Sequence, residues 1–120
     1  MRVYLLTVES SSQIGDLVRV LPQVPIQSLI KQAPGMLMPM AGDRLELHLP
    51  DRHIRHASIG GFGVELWRDK ESNFYTTSDP VHAVLTLTIA GDLHVEDVPP
   101  GTEIWLSEAR YEIPDHYATI

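Results

Sequence analysis

Residues 88–107, TIAGDLHVEDVPPGTEIWLS, decide how this chain folds. The stretch begins as an apolar strand, breaks at Gly91 and Asp92, passes through acidic residues and a Pro99-Pro100-Gly101 turn, and resumes as a strand. Proline fixes its own φ angle and glycine adopts a positive φ without steric cost, so this sequence favours a tight turn. A hairpin needs only two turn residues. This much longer connection therefore has some other structural or binding role.

Length and composition limit the possible classes of protein. The chain has 120 residues, 43% of them hydrophobic and 21% charged, which predicts a single globular domain over residues 1–120. There is no cysteine, which excludes disulfides, a thiolate zinc site and a cysteine nucleophile. The N-terminal residues show no long apolar run typical of a signal peptide, and no stretch is long enough to span a membrane. We expect a cytoplasmic protein that does not act on membranes.

Negative charge is concentrated towards the C-terminus. The net charge is −7, and from Asp92 onward seven acidic residues and one basic residue contribute −6. Residues 107–120 form an acidic C-terminal segment, and we expect the late acids Glu96, Asp97, Glu108, Glu112 and Asp115 to lie on one side of the molecule. Such a charge repels phosphate backbones, so no direct binding of nucleic acid is expected. This acidic charge would attract a basic partner protein or, more simply, keep the protein soluble.

Period-two alternation of apolar and polar residues dominates the chain and predicts strands. The clearest case is RLELHL at residues 44–49, with leucines inward, and Pro50-Asp51-Arg52 turns it back towards an antiparallel partner. The glycines at 60, 61 and 63 indicate a bend or bulge. Ser10-Ser11-Ser12 is interpreted as a loop. Strands are predicted over residues 3–9, 14–21, 44–49, 53–59, 64–67, 81–89, 103–106 and 110–113.

One segment departs from this pattern. Residues 22–42 are rich in proline and methionine and are interpreted as an insertion, with one short helix over residues 25–33. Met36, Met38 and Met40 either pack against the barrel mouth or form a binding lip. Six or seven short strands with glycine corners predict an all-β fold: a small closed or nearly closed Greek-key β-barrel.

Two long segments resemble a known family. Residues 42–67, GDRLELHLPDRHIRHASIGGFGVELW, and residues 84–106, VLTLTIAGDLHVEDVPPGTEIWL, are similar to the β-barrel domain that follows the GTPase domain in elongation factor Tu and related translation factors. The resemblance implies that residues 88–107 are the last loop and the closing strand of that barrel. It also implies that Glu65, and Glu96 or Asp97, correspond to acids that hold the aminoacylated end of tRNA in the family.

The chain also departs from the family. The basic residue usual before the loop glycine is Ala90 here, and residues 22–42 have no counterpart. No Gly-x-x-x-x-Gly-Lys-Ser/Thr sequence is present, so the chain has no P-loop for a GTPase.

The histidines around the 44–59 hairpin suggest a metal hypothesis. His48 and His53 flank the hairpin turn, which contains Asp51, and the hypothesis is that they face each other across the two strands. His53 and His56 differ in strand parity and should point to opposite faces, which argues against a shared site. Surface histidines are the simpler interpretation, and no cofactor is expected.

Three hypotheses about function follow from these patterns. The first is a non-enzymatic binding module that docks an unidentified protein or ribonucleoprotein partner through its rim loops and acidic face. The alternative is a small-ligand or metal-binding barrel, or a minor enzyme, that uses Glu65 and the hairpin histidines. The third is a homo-oligomer in which the methionine-rich insertion is buried in a neighbouring copy.

Overall fold

The computed structural model describes residues 2–64, 67–68, 74–75 and 83–111. Within these residues there are nine strands and one α-helix. In chain order they are β1 (Val3–Thr7), β2 (Ser10–Ile14), β3 (Leu17–Pro25), α1 (Ile26–Gln32), β4 (Arg44–His48), β5 (Ile54–Val64), β6 (Trp67–Arg68), β7 (Phe74–Tyr75), β8 (Val84–Ala90) and β9 (Glu103–Leu106).

Seven of the strands form one antiparallel sheet that curls into a half-barrel. The order in the sheet is β1-β9-β4-β5-β8-β3-β2, and β6 and β7 form a separate two-stranded ribbon. The predicted all-β fold with one short helix is confirmed. The sheet is curled but not fully closed, since no pairing joins β1 to β2 within the described residues.

The strand order answers the question raised by residues 88–107. Among the strands of this sheet, β4, β5 and β8 come one after another along the chain and lie side by side, and β9 then returns to lie beside β4. This is the Greek-key arrangement, in which the fourth strand needs a long connection. Residues 91–102, the crossover loop, make that connection across the end of the half-barrel. Leu93 and Val98 on this loop are buried and belong to the core.

The core follows from the alternation seen in the sequence. Each strand of the seven-stranded sheet except β2 contributes buried side chains, which pack together inside the half-barrel. Each fully buried aliphatic side chain contributes roughly 1.5–3 kcal/mol relative to exposure. The central members are Val18, Val20, Leu45, Leu47, Ile59, Leu87, Ile89 and Ile104.

Two predictions about the N-terminal strands are wrong. Ser10-Ser11-Ser12 is not a loop but part of β2, where Ser12 pairs with Arg19. Residues 14–21 are not one strand, because a turn at Gly15 and Asp16 separates β2 from β3. Gly15 has a φ of 58°, which an L-residue seldom adopts and which permits this two-residue turn.

The other predicted elements agree better with the structure. The helix, the strands at residues 44–49 and 103–106, and the bulge near Gly60 are confirmed, the last by a register shift between Ile59 and Gly61. The proposed insertion begins too early, because residues 22–25 still belong to β3.

The three methionines of the insertion differ in exposure. Met36 packs against the core, whereas Met38 and Met40 are about half exposed. The expected strand at 110–113 reaches only a bridge between Tyr111 and Met36, and residues 112–113 lie outside the described range.

Candidate functional site

A cleft opens at the rim of the half-barrel where two loops meet. One is the β4–β5 turn, residues 49–53, and the other is the crossover loop. The cleft has a volume of about 390 Å³. We call it the rim cleft, and its lining consists of Leu49, Pro50, Asp51, Arg55, Glu96, Asp97 and Pro99.

Asp97 holds the crossover loop in shape. Its Oδ2 accepts a hydrogen bond from the backbone N–H of His94 at 2.8 Å, and its own N–H donates to the His94 carbonyl at 2.9 Å. Its Oδ1 also lies 3.1 Å from Nη1 of Arg55 at the start of β5. The His94 hydrogen bond, and then Arg55, lower the pKa of Asp97. This carboxylate is therefore an anchor between the loop and the sheet.

Glu96 and Asp51 are the two carboxylates of the rim cleft that are not paired with a lysine or arginine among the described residues. Glu96 is exposed and makes no hydrogen bond or ion pair to any residue in the described part of the chain. Asp51 accepts the His53 backbone N–H at 3.0 Å and lies 2.9 Å from the His53 Nδ1. These contacts with His53 lower the pKa of Asp51. Both side chains are open to solvent.

The balance of charge and apolar surface in the rim cleft is distinctive. Its three carboxylates face a single lining cation, Arg55, which is already paired with Asp97. The remaining lining is made of the apolar side chains Leu49, Pro50 and Pro99. A cleft lined by both apolar and acidic side chains can hold the aliphatic stem of a long cationic side chain and bind its charged end.

The residues predicted from the family resemblance are only partly placed. Glu96 and Asp97 line the same cleft, whereas Glu65 lies outside the described residues. Asp51 and Arg55 were not predicted as members of this site. Their membership could have been predicted only from the topology, because the β4–β5 turn and the crossover loop meet when β9 pairs with β4.

The two hairpin histidines do not come together, so the expectation that they face each other is wrong. The register pairs His48 with Ile54, and His53 lies in the turn. The His48 Nε2 lies 3.1 Å from Oε1 of Glu46, and its ring is 5.9 Å from that of Trp105. Across residues 2–64 and 83–111, no three His, Asp or Glu side chains are grouped closely enough to hold a metal ion.

The expectation that the late acids lie on one side of the molecule stays a prediction. Glu96 and Asp97 precede β9 and Glu108 follows it. Asp51 of the β4–β5 turn joins Glu96 and Asp97 at the rim cleft. Glu112 and Asp115 lie outside the described residues.

Comparisons with known protein families, with characterised proteins and with experimentally determined structures find no match to this chain. Among the described segments, no helix has the length and apolar character needed to cross a membrane.

Proposed function

We propose that this chain is a non-enzymatic binding module that docks a basic segment of a partner protein at the rim cleft. The observation that carries the proposal is the meeting of Asp51, Glu96 and Asp97 from two separate loops in one cleft that is also lined by Leu49, Pro50 and Pro99. Loops that a rigid sheet positions commonly carry the function of small β domains. The family resemblance remains a prediction and would make a protein component of a ribonucleoprotein a natural partner.

The rim cleft fits an arginine or lysine side chain better than a neutral ligand. The volume of about 390 Å³ is at the lower end of small-molecule sites, which suits one or two side chains. The methylene stem of a cation would lie against Leu49, Pro50 and Pro99. Its charged end would then meet Asp51 and Glu96, which make no ion pair with a lysine or arginine among the described residues.

The charge of the chain supports the same class of partner. A net charge of −7 attracts basic proteins and raises their association rates more than their final affinity. The attraction is screened over roughly 8 Å at physiological salt, so binding should weaken as salt rises. Phosphate backbones are repelled by the same field.

The test is a titration with a fluorescently labelled hexapeptide of alternating Arg and Ala, measured by anisotropy. Glu96→Gln should weaken binding by about two- to fivefold, the effect of removing one exposed charge contact. Asp92→Asn is the matched control, because Asp92 is an exposed acid of the same loop that does not line the rim cleft. Equal effects of the two variants would contradict a site at the cleft.

A parallel titration addresses nucleic acid. We expect no binding of an RNA hairpin at physiological salt, because the rim and the whole chain are acidic. Micromolar affinity that weakens as salt rises would show that RNA, rather than a basic protein, is the partner.

A further inference from the structure

The two edge strands of the seven-stranded sheet, β1 and β2, differ in whether another part of the chain covers them. At the β1 edge, the side chain of Gln32 on α1 occupies the backbone groups of Tyr4. Its Oε1 accepts the Tyr4 N–H at 2.9 Å, and its Nε2 donates to the Tyr4 carbonyl at 2.7 Å. The helix thus covers this edge, which is one of the ways in which proteins prevent strands from pairing with other chains.

The β2 edge has no such cover. In residues 2–64, 67–68, 74–75 and 83–111, no strand pairs with its outer side. Its sequence, SSSQI, contains no proline or charged residue, and Ile14 is 48% exposed. Edges of monomeric proteins usually carry such blocking features. An unblocked edge is a template for a further strand.

β2 is also held in place for pairing. The Ser11 hydroxyl donates to the Val98 carbonyl at 3.3 Å, and the Gln13 Oε1 accepts the Val95 N–H at 2.9 Å. Both contacts attach the strand to the crossover loop. A preorganised edge loses little conformational entropy when a partner binds.

The register shows which backbone groups face outward. Ile14 and Leu17 close the two-residue turn and therefore form a hydrogen-bonded pair. Hydrogen-bonded and non-hydrogen-bonded pairs alternate along an antiparallel ladder, so Ser12 also bonds inward to β3. Ser11 and Gln13 consequently present their N–H and C=O groups to the open side.

Charge at the two ends of β2 selects the occupant. Glu9 and Asp16 bracket the strand, and both are exposed and make no ion pair within the described residues. β2 and the residues that flank it carry no basic side chain, so in an antiparallel pair of two copies neither Glu9 nor Asp16 would meet an opposite charge, and each copy brings a net charge of −7. A second copy is therefore a poor occupant.

We propose that β2 accepts an extended segment of a partner protein as an eighth strand, with a basic residue at each end of that segment to pair with Glu9 and Asp16. This edge is separate from the rim cleft, and the inference does not depend on the proposed function. Glu96→Gln changes the rim cleft and Ser11→Pro changes the β2 edge. The failure of one proposal therefore leaves the other testable.

The first test compares two octapeptides of alternating Thr and Val, one with Lys and one with Glu at both ends. In an NMR titration at low salt, we expect the Lys peptide to bind about tenfold more tightly than the Glu peptide. The largest amide shifts should be at Ser11 and Gln13. The double variant Glu9→Gln/Asp16→Asn should reduce the preference to about twofold. No binding by the wild type, or no preference between the peptides, would overturn the proposal.

The second test blocks the edge. Ser11→Pro removes an outward N–H and should weaken the Lys peptide by about tenfold or more. Ser11→Ala is the matched control, because it loses the same hydroxyl bond to Val98 but keeps the N–H, and it should remain within about twofold of the wild type. Equal binding by the two folded variants would overturn the proposal. If Ser11→Pro does not fold, the two-peptide comparison decides. A wild-type dimer in light scattering that Ser11→Pro abolishes and Ser11→Ala retains would show that a second copy, not a basic segment, occupies β2.

Discussion

Gly101 lies in the crossover loop, at the point where this loop comes close to Pro50 of the β4–β5 turn. Its φ is 92°, and its N–H donates to the Val8 carbonyl at 2.8 Å, which extends the pairing between β1 and β9. A Cβ at this position would lie 3.3 Å from Cγ of Pro50 in the β4–β5 turn. The glycine is therefore needed both for its backbone conformation and for the close approach of the turn.

Replacement of this glycine tests that interpretation. Gly101→Ala should lower the free energy of unfolding by about 1–2 kcal/mol, because an L-residue is strained at positive φ. Gly63→Ala is the control, since Gly63 has no positive φ and its Cβ would meet no atom within 4 Å. Urea unfolding of both variants measures the difference. Equal stabilities would show that the turn tolerates a side chain.

At the scale of elements, α1 is a cover for the β1 edge. The helix has only seven residues, its N-cap residue Pro25 makes no side-chain capping bond, and it buries Leu29. Helices this short are not stable alone in water. Its position therefore depends on packing and on the two hydrogen bonds between Gln32 and Tyr4.

Removal of the Gln32 side chain tests the role of α1. Gln32→Ala leaves the N–H and C=O of the half-buried Tyr4 without these partners and should lower the free energy of unfolding by about 1–3 kcal/mol. Gln27→Ala, at an exposed position of the same helix, should change it by less than about 0.5 kcal/mol. Denaturant titrations provide the measurement. A Gln32 variant as stable as the Gln27 variant would refute the covering role.

At the scale of the whole molecule, acid should weaken the fold. The pKa values of Glu46, Asp51 and Asp97 are lowered, chiefly by hydrogen bonds with His48, with His53 and with the His94 N–H respectively. A carboxyl whose pKa is lower in the folded chain stabilises it above the unfolded pKa, and that stability is lost as pH falls through the folded pKa. We expect the urea midpoint to be constant near neutrality and to fall below about pH 4.

A variant separates these groups from the other acids. In Glu46→Gln/Asp51→Asn/Asp97→Asn, the three contributions are absent at every pH. The variant should be less stable than the wild type at pH 7, and its midpoint should fall less between pH 7 and pH 3. Identical falls in the two proteins would assign the acid sensitivity to other carboxyls.

The sequence alone determined the class of fold, because burial leaves a local pattern. The alternation at Leu45 and Leu47 predicted an inward face, and both side chains are fully buried. The glycines after Ile59 predicted the bulge in β5. The strand β2 was missed because its serines carry no apolar signal, and its extended form comes from pairing with β3.

Only the tertiary structure decided what the rim contains. Arg55 and Asp97 are separated by 42 residues along the chain but lie 3.1 Å apart, because the crossover brings β9 back to β4. The positions of His48 and His53 depended on a register that a one-residue shift would change. The covered β1 edge and the open β2 edge likewise depend on where α1 packs. Local patterns specify which residues are buried, whereas the meeting of distant loops and edges is set by the path of the chain.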